Sequence, residues 1–388
     1  MRVLLFAGKG GVGKTSLALA TALAAAEHGH RCCVISTDAA HSLSDALARP
    51  VGPQPVEVAP KVVAQEVSTL AELDRSWEAI ETWLRALLFQ EDHLVAEELL
   101  VWPGLEEWVS LRAIHEAAST GAHDLCIVDC APTAANLRLL RLPDVLRVLM
   151  GGLWDWKRRA ARAMRPVAER LGAGNFVAPE HVFDAFEALT EQVEAVRQLL
   201  TDPERSQARL VVNPARVVVE ETRRTFAYLS LYGVACDAVL VNRGLPAELS
   251  TPAFARQRER EREQCAQIEA GFPLPIFEAP LRAEEPIGAS ALRELGLALY
   301  GTRDPASRFV DRPPVRFRSE ADVHHLEIAL GAVPDEEWDV WLRGEDLVVS
   351  VRDFERRIAL PASMADLAIH ATEWRDGVLD VSLGAAEA

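Results

Sequence analysis

The sequence predicts an α/β fold with a mostly parallel, doubly wound sheet, followed by a small all-β sandwich. Three observations carry this prediction. Apolar runs at 2–7 and 31–36 flank an Ala/Leu-rich helical stretch at 15–28, and this strand, helix, strand order is typical of a parallel sheet. Further apolar runs bounded by turn residues, as expected for strands buried on both faces, follow at 125–128, 210–212 and 238–241. After residue 301, short alternating stretches replace the helical ones.

Two long helical tracts interrupt the α/β pattern, at 70–118 and 142–200. A doubly wound sheet needs one crossover helix per connection, so the surplus predicts a helical insertion subdomain beside the sheet. The tracts contain six of the nine tryptophans, namely Trp77, Trp83, Trp102, Trp108, Trp154 and Trp156. Apolar stripes on helices more often form a core than a binding surface, so we interpret these side chains first as the core of the subdomain. An exposed apolar binding surface is the alternative.

These patterns divide the chain into three parts. Residues 1–301 are expected to form the α/β domain, and residues 302–314, rich in Pro, Arg and Asp, are expected to form a linker. Residues 315–384 are expected to form the β-sandwich. That last assignment rests on alternating stretches at 325–330, 339–342, 347–351 and 377–383.

Composition excludes several classes of protein. The chain is 49% hydrophobic and 26% charged, which is globular composition. Its 41 Lys and Arg against 58 Asp and Glu give a net charge of -17, so we expect no nucleic-acid partner. We expect no integral membrane segment and no secretory signal. The six cysteines form no CxxC pair, so neither a zinc CxxC site nor a disulfide scaffold is expected, and we place the protein in the cytoplasm.

The strongest motif is GKGGVGKT, residues 8–15, between the first strand and the first helix. It fits the phosphate-binding pattern GxxxxGK[ST] of P-loop NTPases in the context that this pattern requires. Glycines let successive N–H groups face an anion, and the following helix adds the positive end of its dipole. We expect Lys14 to neutralise phosphates and Thr15 to place its hydroxyl on Mg²⁺. The expected nucleotide-binding residues of the loop are Gly8, Lys9, Gly10, Gly11, Val12, Gly13, Lys14, Thr15 and Ser16.

Lysine usage singles out a second position in this loop. Only four of the 41 basic residues are lysines, and Lys9 and Lys14 are two of them. With Lys9, the loop resembles the deviant Walker A motif, KGGVGKT, of a group of dimeric ATPases. The group includes the arsenite-pump subunit ArsA, the tail-anchored-protein-targeting (guided entry) ATPases, the nitrogenase iron protein and the division-site regulator MinD. In that group the extra lysine reaches the partner subunit's phosphates, so the resemblance implies a homodimer through the nucleotide face and a catalytic role for Lys9.

Two further segments resemble the ArsA and tail-anchored-targeting branch. ISTDAAHSLSDAL, residues 35–47, is similar to its switch I segment STDPAHNLSD. Asp38 follows a strand there, where a carboxylate can orient the attacking water; a buried capping Asp is the alternative. IVDCAPTAANLRLLRLP, residues 127–143, is similar to its switch II segment. The resemblance implies that Asp129 is the Walker B carboxylate, which holds Mg²⁺ through water.

The chain departs from the branch at several switch positions. Ala39 replaces the switch I proline and Cys130 replaces the switch II threonine, while AAN at 134–136 replaces Gly-His-Thr. Alanine has fewer accessible backbone conformations than glycine. We therefore expect the coupling of hydrolysis to movement to differ from that of the relatives.

The resemblance, which covers residues 1–300, also implies an adenine pocket. Asn242, in VNRGLP, matches the family asparagine that contacts adenine. Pro280 and Leu281, in FEAPLRAEEP, match the adenine loop, and Glu221 aligns with a family glutamate near the nucleotide. The implied cofactors are ATP or ADP and Mg²⁺.

The segment after residue 315 resembles the α-crystallin or small heat-shock domain that is fused to some bacterial ArsA-like proteins. LEIALGAVPDEEWDVWLRGEDLVV and RRIALP carry the pattern, with LGAV at 330–333 where the domain usually has LPGV. The chain ends soon after Leu383. We therefore expect no room for the longer tail by which small heat-shock proteins assemble, and no chaperone oligomers.

The sequence thus favours a Mg²⁺-dependent homodimeric ATPase whose nucleotide state opens and closes the helical subdomain, with a hydrophobic protein client. The alternative is a nucleotide-binding scaffold with negligible turnover that docks a partner through its β-domain. An arsenite efflux ATPase is less favoured. Arsenite requires clustered thiolates, whereas Cys32, Cys33 and Cys126 lie on predicted core strands. In addition, an ArsA subunit has two ATPase halves and this chain has one.

Overall fold

The computed structural model describes eleven parts of the chain. These are residues 1–37, 42–67, 105–130, 180–246, 251–320, 323–333, 337–344, 346–352, 354–360, 364 and 367–385. Within them lie one large sheet and two small antiparallel sheets. No helix of these parts is long and apolar enough to cross a membrane.

The large sheet is mostly parallel. Its strands are β1 (Arg2–Ala7), β2 (Cys32–Ser36), β3 (Val56–Ala59), β4 (Val62–Glu66), β5 (Leu125–Asp129), β6 (Ser206–Val212), β7 (Cys236–Gly244) and β8 (Ile276–Pro280). They are ordered β3-β4-β2-β5-β1-β6-β7-β8. Only β3 and β4 pair antiparallel, and every other pair is parallel. The predicted α/β class is confirmed.

Helices cover both faces of this sheet. They are α1 (Lys14–Glu27), α2 (Ser42–Leu47), α3 (Leu105–Ser119), α4 (Glu180–Thr201), α5 (Arg216–Leu231), α6 (Ala255–Gly271) and α7 (Gly288–Tyr300). Because successive strand residues point to opposite faces, Leu4 and Phe6 of β1 pack with α1 and α7. Val3 and Leu5 pack on the other face with α4 and α5. This two-sided burial explains why the strands read as continuous apolar runs.

The described residues cover only part of the two predicted helical tracts. Helix α3 belongs to the first tract and contains Trp108, and α4 belongs to the second. The two helices lie against each other. The rest of both tracts, with the other five of their tryptophans, lies outside the described residues.

The C-terminal part is a sandwich of two antiparallel sheets. Its strands are β9 (Val315–Glu320), β10 (Val323–Ala329), β11 (Trp338–Arg343), β12 (Asp346–Val351), β13 (Phe354–Ala359), β14 (Leu367–Arg375) and β15 (Val378–Ala385). They form the sheets β14-β15-β10-β9 and β11-β12-β13. Alternate residues such as Leu326 and Ile328 of β10, and Leu347 and Val349 of β12, are fully buried in its core. The predicted all-β part is confirmed.

Residues of the segment predicted to be a linker pack on the α/β domain. The Arg209 guanidinium donates a hydrogen bond to the backbone oxygen of Pro305 at 2.8 Å. The Phe309 ring lies with its centroid 4.7 Å from the Arg209 Cζ and 4.8 Å from the Phe277 ring centroid. A second guanidinium, that of Arg2, donates to the backbone oxygen of Ala306. Residues 305–309 are thus held at the amino ends of the sheet strands.

The β-sandwich also packs directly on α5. The rings of Tyr228 and Phe354 meet edge to face, with centroids 4.4 Å apart at 73°. The Tyr232 hydroxyl donates to the Glu355 backbone oxygen at 2.8 Å. The Arg356 guanidinium donates to the backbone oxygen of Leu231, at the end of α5. One continuous hydrophobic core therefore contains residues of both domains.

We expect Phe354→Ala to loosen the β-sandwich from helix α5 of the α/β domain. Removing a ring from a packed aromatic pair loses both buried area and the edge-to-face contact. Calorimetry should then show a separate, earlier transition for the sandwich, and limited proteolysis should cut faster within 302–314. Phe317→Ala is the matched control, since that ring is 46% exposed on β9 and should change neither readout. Identical melting of wild type and Phe354→Ala would contradict the docked arrangement.

Candidate functional site

The glycine-rich loop connects the end of β1 at Ala7 to the start of α1 at Lys14. At two of its glycines, a side chain would force a neighbouring group to move. A Cβ on Gly8 would lie 2.4 Å from the backbone oxygen of Val211, and a Cβ on Gly13 would lie 2.3 Å from the Asn242 Nδ2. Gly13 also has φ +92°, which glycine adopts at little cost. These two glycines let the loop turn tightly at the carboxyl edge of the parallel sheet, where α/β proteins bind ligands.

Lys14 is folded back over the loop. Its side chain is 7% exposed, and its Nζ donates to the backbone oxygens of Gly8 and Lys9, both at 3.1 Å. The ammonium is therefore held within the curve of the loop. The N–H groups of the first turn of α1, which includes Thr15 and Ser16, have no carbonyl partner four residues earlier within the helix. A cation and a helix start at one place form a site suited to phosphate.

Three oxygen atoms meet beside the start of α1. Asp129, the last residue of β5, is 1% exposed. Its Oδ2 accepts a hydrogen bond from the Thr15 Oγ1 at 2.6 Å and one from the Ser42 Oγ at 3.4 Å. The Thr15 and Ser42 hydroxyl oxygens are 3.3 Å apart. Carboxylate and hydroxyl oxygens are the hard donors that Mg²⁺ prefers, directly or through its waters, so this donor set fits a magnesium ion.

Cys130, which follows Asp129, stays uncharged beside this site. Burial raises the pKa of the Cys130 thiol to about 12, and the neighbouring Asp129 carboxylate contributes to the increase. The thiol is therefore protonated at neutral pH.

The residues expected in an adenine pocket lie at the same edge of the sheet. Strands β7 and β8 are paired so that Asn242 is opposite Ala279 and Gly244 is opposite Pro280. Leu281 follows, with its side chain 43% exposed. The Asn242 Nδ2 donates to the backbone oxygen of Val12 at 2.8 Å, so this side chain holds the glycine-rich loop against β7.

Lys9 has an ion-pair partner within the chain. Its Nζ lies 3.1 Å from the Glu221 Oε2, and the two side chains are 39% and 31% exposed. Glu221, on α5, therefore lies next to the loop and contacts it through this ion pair with Lys9. Because the ion pair is partly open to solvent, separating it costs little.

Asp38 and residues 131–143 of the switch II segment lie outside the described residues. Thr37 and Ser42, which flank residues 38–41, are described. The Thr37 N–H donates to the backbone oxygen of Asp129 at 3.1 Å, and Ser42 contacts the Asp129 side chain.

Sequence reasoning missed two residues at the site. Ser42 lies in the segment that is similar to switch I, and its distance from Thr15 in the sequence does not indicate that the two side chains are in contact. Arg243 donates from Nη1 to the backbone oxygen of Gly11 at 3.3 Å, and only its position after Asn242 could have suggested it. In the described parts of the chain, no group of three or more His, Cys, Asp or Glu is placed to hold a metal ion.

Two protein families match the chain. The family described as anion-transporting ATPase (ArsA_ATPase) matches residues 1–301. The HSP20-like domain found in ArsA matches residues 321–383. Together they confirm both resemblances that the sequence motifs indicated.

Two relatives align with nearly the whole chain, and a third aligns with three quarters of it. A protein named "Putative arsenical pump-driving ATPase" from Prosthecochloris vibrioformis is 32% identical over 98% of this chain and 95% of its own length. "Putative arsenical pump-driving ATPase 1" from Aquifex aeolicus is 31% identical over 95% of this chain and 96% of its own. "ATPase GET3B" from Arabidopsis thaliana is 30% identical over 75% of this chain and 77% of its own. The chain therefore belongs to the ArsA family of ATPases, in a form with a single ATPase domain followed by an HSP20-like domain.

Proposed function

We propose that the protein is a homodimeric, Mg²⁺-dependent ATPase that couples ATP binding and hydrolysis to opening and closing of its helical subdomain, which handles a hydrophobic protein client. The observation that carries the proposal is the arrangement of the loop. It holds a buried Lys14 and a half-exposed Lys9 beside the contact between Thr15 and Asp129.

The loop residues have distinct tasks in nucleotide binding. The loop N–H groups and the start of α1 hold the phosphate oxygens, and Lys14 exchanges its bonds to backbone oxygens for bonds to the β- and γ-phosphates. Thr15 and Asp129 hold Mg²⁺, Asp129 through a water molecule. When bound, the ion neutralises charge on the phosphates. Gly10, Gly11, Val12 and Ser16 complete the phosphate site, while Asn242, Pro280 and Leu281 contact the adenine.

Hydrolysis requires a positioned water molecule and stabilisation of the charge that develops on the γ-phosphate. We assign the first task to the Asp38 carboxylate. We assign the second to Lys9 of the partner subunit, which acts in trans as arginine fingers do in other P-loop proteins. The exposure of Lys9 supports this role, since its ion pair with Glu221 can open without exposing buried charge.

The experiment that tests this function measures phosphate release by the full-length protein with ATP and Mg²⁺. Asp38→Asn should retain nucleotide binding and lose turnover by a factor of about 10² to 10⁴, the usual contribution of such a group. Asp45→Asn is the control, since Asp45 lies on the same segment, within α2. This variant should hydrolyse ATP at the wild-type rate. Equal rates for wild type and Asp38→Asn would overturn the Asp38 assignment.

A scaffold that binds nucleotide and docks a partner is the second candidate. The tight packing of the β-sandwich on α5 supports it, since a fixed β-domain can present a binding surface. Stoichiometric bound nucleotide without turnover in the wild-type protein would favour this function over the first.

Arsenite efflux remains the least favoured function. Cys33 and Cys126 are opposite each other on β2 and β5, while Cys32 belongs to the core on the other face of the sheet. Burial raises the pKa of Cys32 to about 12. A hydrogen bond with Cys33, together with burial, raises the pKa of Cys126 well above its ordinary value. Thiols held neutral and split between two faces are poor ligands for arsenite.

A further inference from the structure

Three neighbouring strands end in polar residues at the edge of the sheet beside the nucleotide loop. Ser36 of β2 is opposite Glu66 of β4 on one side and opposite Asp129 of β5 on the other. Asp129 belongs to the site described above. Glu66 is equally buried, with 3% of its surface exposed, and neither the motifs nor the proposed function gives it a task.

The Glu66 carboxylate holds the start of α2. Its Oε1 accepts hydrogen bonds from the backbone N–H groups of Leu43 and Ser44, at 2.8 and 2.9 Å. Its Oε2 accepts from the Ser44 Oγ at 3.1 Å. A carboxylate at this position satisfies N–H groups that lack partners within the helix, and it interacts favourably with the helix dipole.

Helix α2 depends on such contacts for its position. It has six residues, and an isolated helix of that length is not stable in water. Besides Glu66, it is fixed by Leu43, which is fully buried, and by the hydrogen bonds between the Ser44 side chain and the backbone of Val51. The location of its first residue therefore follows from these few anchors.

That first residue is Ser42. Its hydroxyl lies 3.3 Å from the Thr15 Oγ1 and 3.4 Å from the Asp129 Oδ2. The next two residues are bound through their N–H groups to Glu66, so the carboxylate sets where the Ser42 hydroxyl lies. The chain of contacts runs from Glu66 through α2 to the oxygen cluster.

We propose that Glu66 is a positioning residue of the magnesium site, which fixes α2 so that the Ser42 hydroxyl supplies a third oxygen beside Thr15 and Asp129. The hydroxyl binds the ion or one of its waters. This proposal rests on the proposed function, which assigns Mg²⁺ to Thr15 and Asp129.

The test measures metal affinity, with Mn²⁺ as the spectroscopic substitute for Mg²⁺. Full-length protein loaded with ADP is titrated with Mn²⁺ and free metal is followed by electron paramagnetic resonance. Glu66→Ala and Ser42→Ala should each raise the Mn²⁺ dissociation constant about tenfold, as loss of residues that orient metal ligands does. Glu66→Gln should have a smaller effect, since the amide oxygen still accepts from Leu43 and Ser44. ADP affinity without metal should match the wild type in all three.

Two controls separate this role from a merely structural one. Glu57→Gln removes an exposed carboxylate from neighbouring β3 and should leave Mn²⁺ affinity unchanged. A lower melting temperature for Glu66→Ala with wild-type Mn²⁺ affinity would overturn the proposal. Should Glu66→Ala fail to fold, Ser42→Ala decides, and wild-type affinity for that variant would also overturn it. A wild-type protein whose ADP complex binds no Mn²⁺ would instead overturn the proposed function, and this proposal with it.

Discussion

Lys9→Ala should leave nucleotide binding by the single subunit close to that of wild type and abolish nucleotide-driven dimer formation, with turnover reduced by about 10³-fold or more. The reason lies in the different surroundings of the two loop lysines. Lys9 is half-exposed and, among the described residues, forms an ion pair with Glu221, whereas Lys14 is buried within the loop. Lys14→Ala should therefore lose nucleotide binding itself. Lys9→Arg should also weaken the dimer, since a guanidinium does not reproduce the compact ammonium.

Two measurements separate the effects on dimer and monomer. Fluorescent nucleotide binding at dilute protein reports the monomer, and analytical ultracentrifugation with a non-hydrolysable ATP analogue reports the dimer. Lys61→Ala is the matched control, since Lys61 is exposed and donates to the Gly29 backbone oxygen at 3.3 Å, away from the loop. Equal loss of monomer binding in Lys9→Ala and Lys14→Ala would contradict a role for Lys9 across the dimer.

Asp237→Ala should lower the free energy of unfolding by about 3–5 kcal/mol, the usual result of removing one partner from a buried ion pair. Asp237 and Arg209 are both fully buried. The Arg209 Nε and Nη2 donate to the two carboxylate oxygens at 3.0 and 3.1 Å, and Arg2 donates to the Oδ2 at 2.9 Å. Alanine would leave two guanidinium groups without the carboxylate.

The charges of this cluster depend on Asp237. Burial acts to lower the pKa of Arg209, but Asp237, followed by Tyr300, more than offsets it and holds that pKa above its ordinary value. The pKa of Arg2 is lowered to about 10, chiefly by burial, with Asp237 opposing.

Urea denaturation followed by circular dichroism measures the loss of stability in Asp237→Ala. Asp124→Ala is the control. Asp124 pairs with Arg31 at 2.7 Å, but both side chains are largely exposed, so its loss should change stability little. Similar urea midpoints for the two variants would contradict a structural role for the buried cluster.

The nucleotide loop is the feature that sequence predicted best. Its chemistry resides in consecutive residues, so GKGGVGKT between a strand and a helix is sufficient to place Gly8, Lys14 and Thr15 together. The resemblance of residues 127–143 to a switch II segment pointed to Asp129, which lies at the end of β5, at the carboxyl edge of the parallel sheet.

Contacts between distant residues were beyond the reach of sequence. Ser42, Glu66 and Arg243 are ordinary residues in their local segments, and the order of the strands brings them to the same edge of the sheet as the loop. The composition of 302–314 predicts a linker, since Pro, Arg and Asp mark an exposed segment. Its Phe309 nevertheless packs on Arg209, a contact that depends on an arginine buried in β6.

By itself, the sequence determined the α/β class, the β-sandwich and the phosphate loop, because periodicity, turn residues and a contiguous motif are local properties of the chain. Tertiary structure alone decided that Glu66 binds the start of α2, that Asp237 pairs with two arginines, and that the β-sandwich packs on α5. The physical reason is that a buried charge or ring is stable only beside a partner, and in each of these cases that partner belongs to another element of the fold.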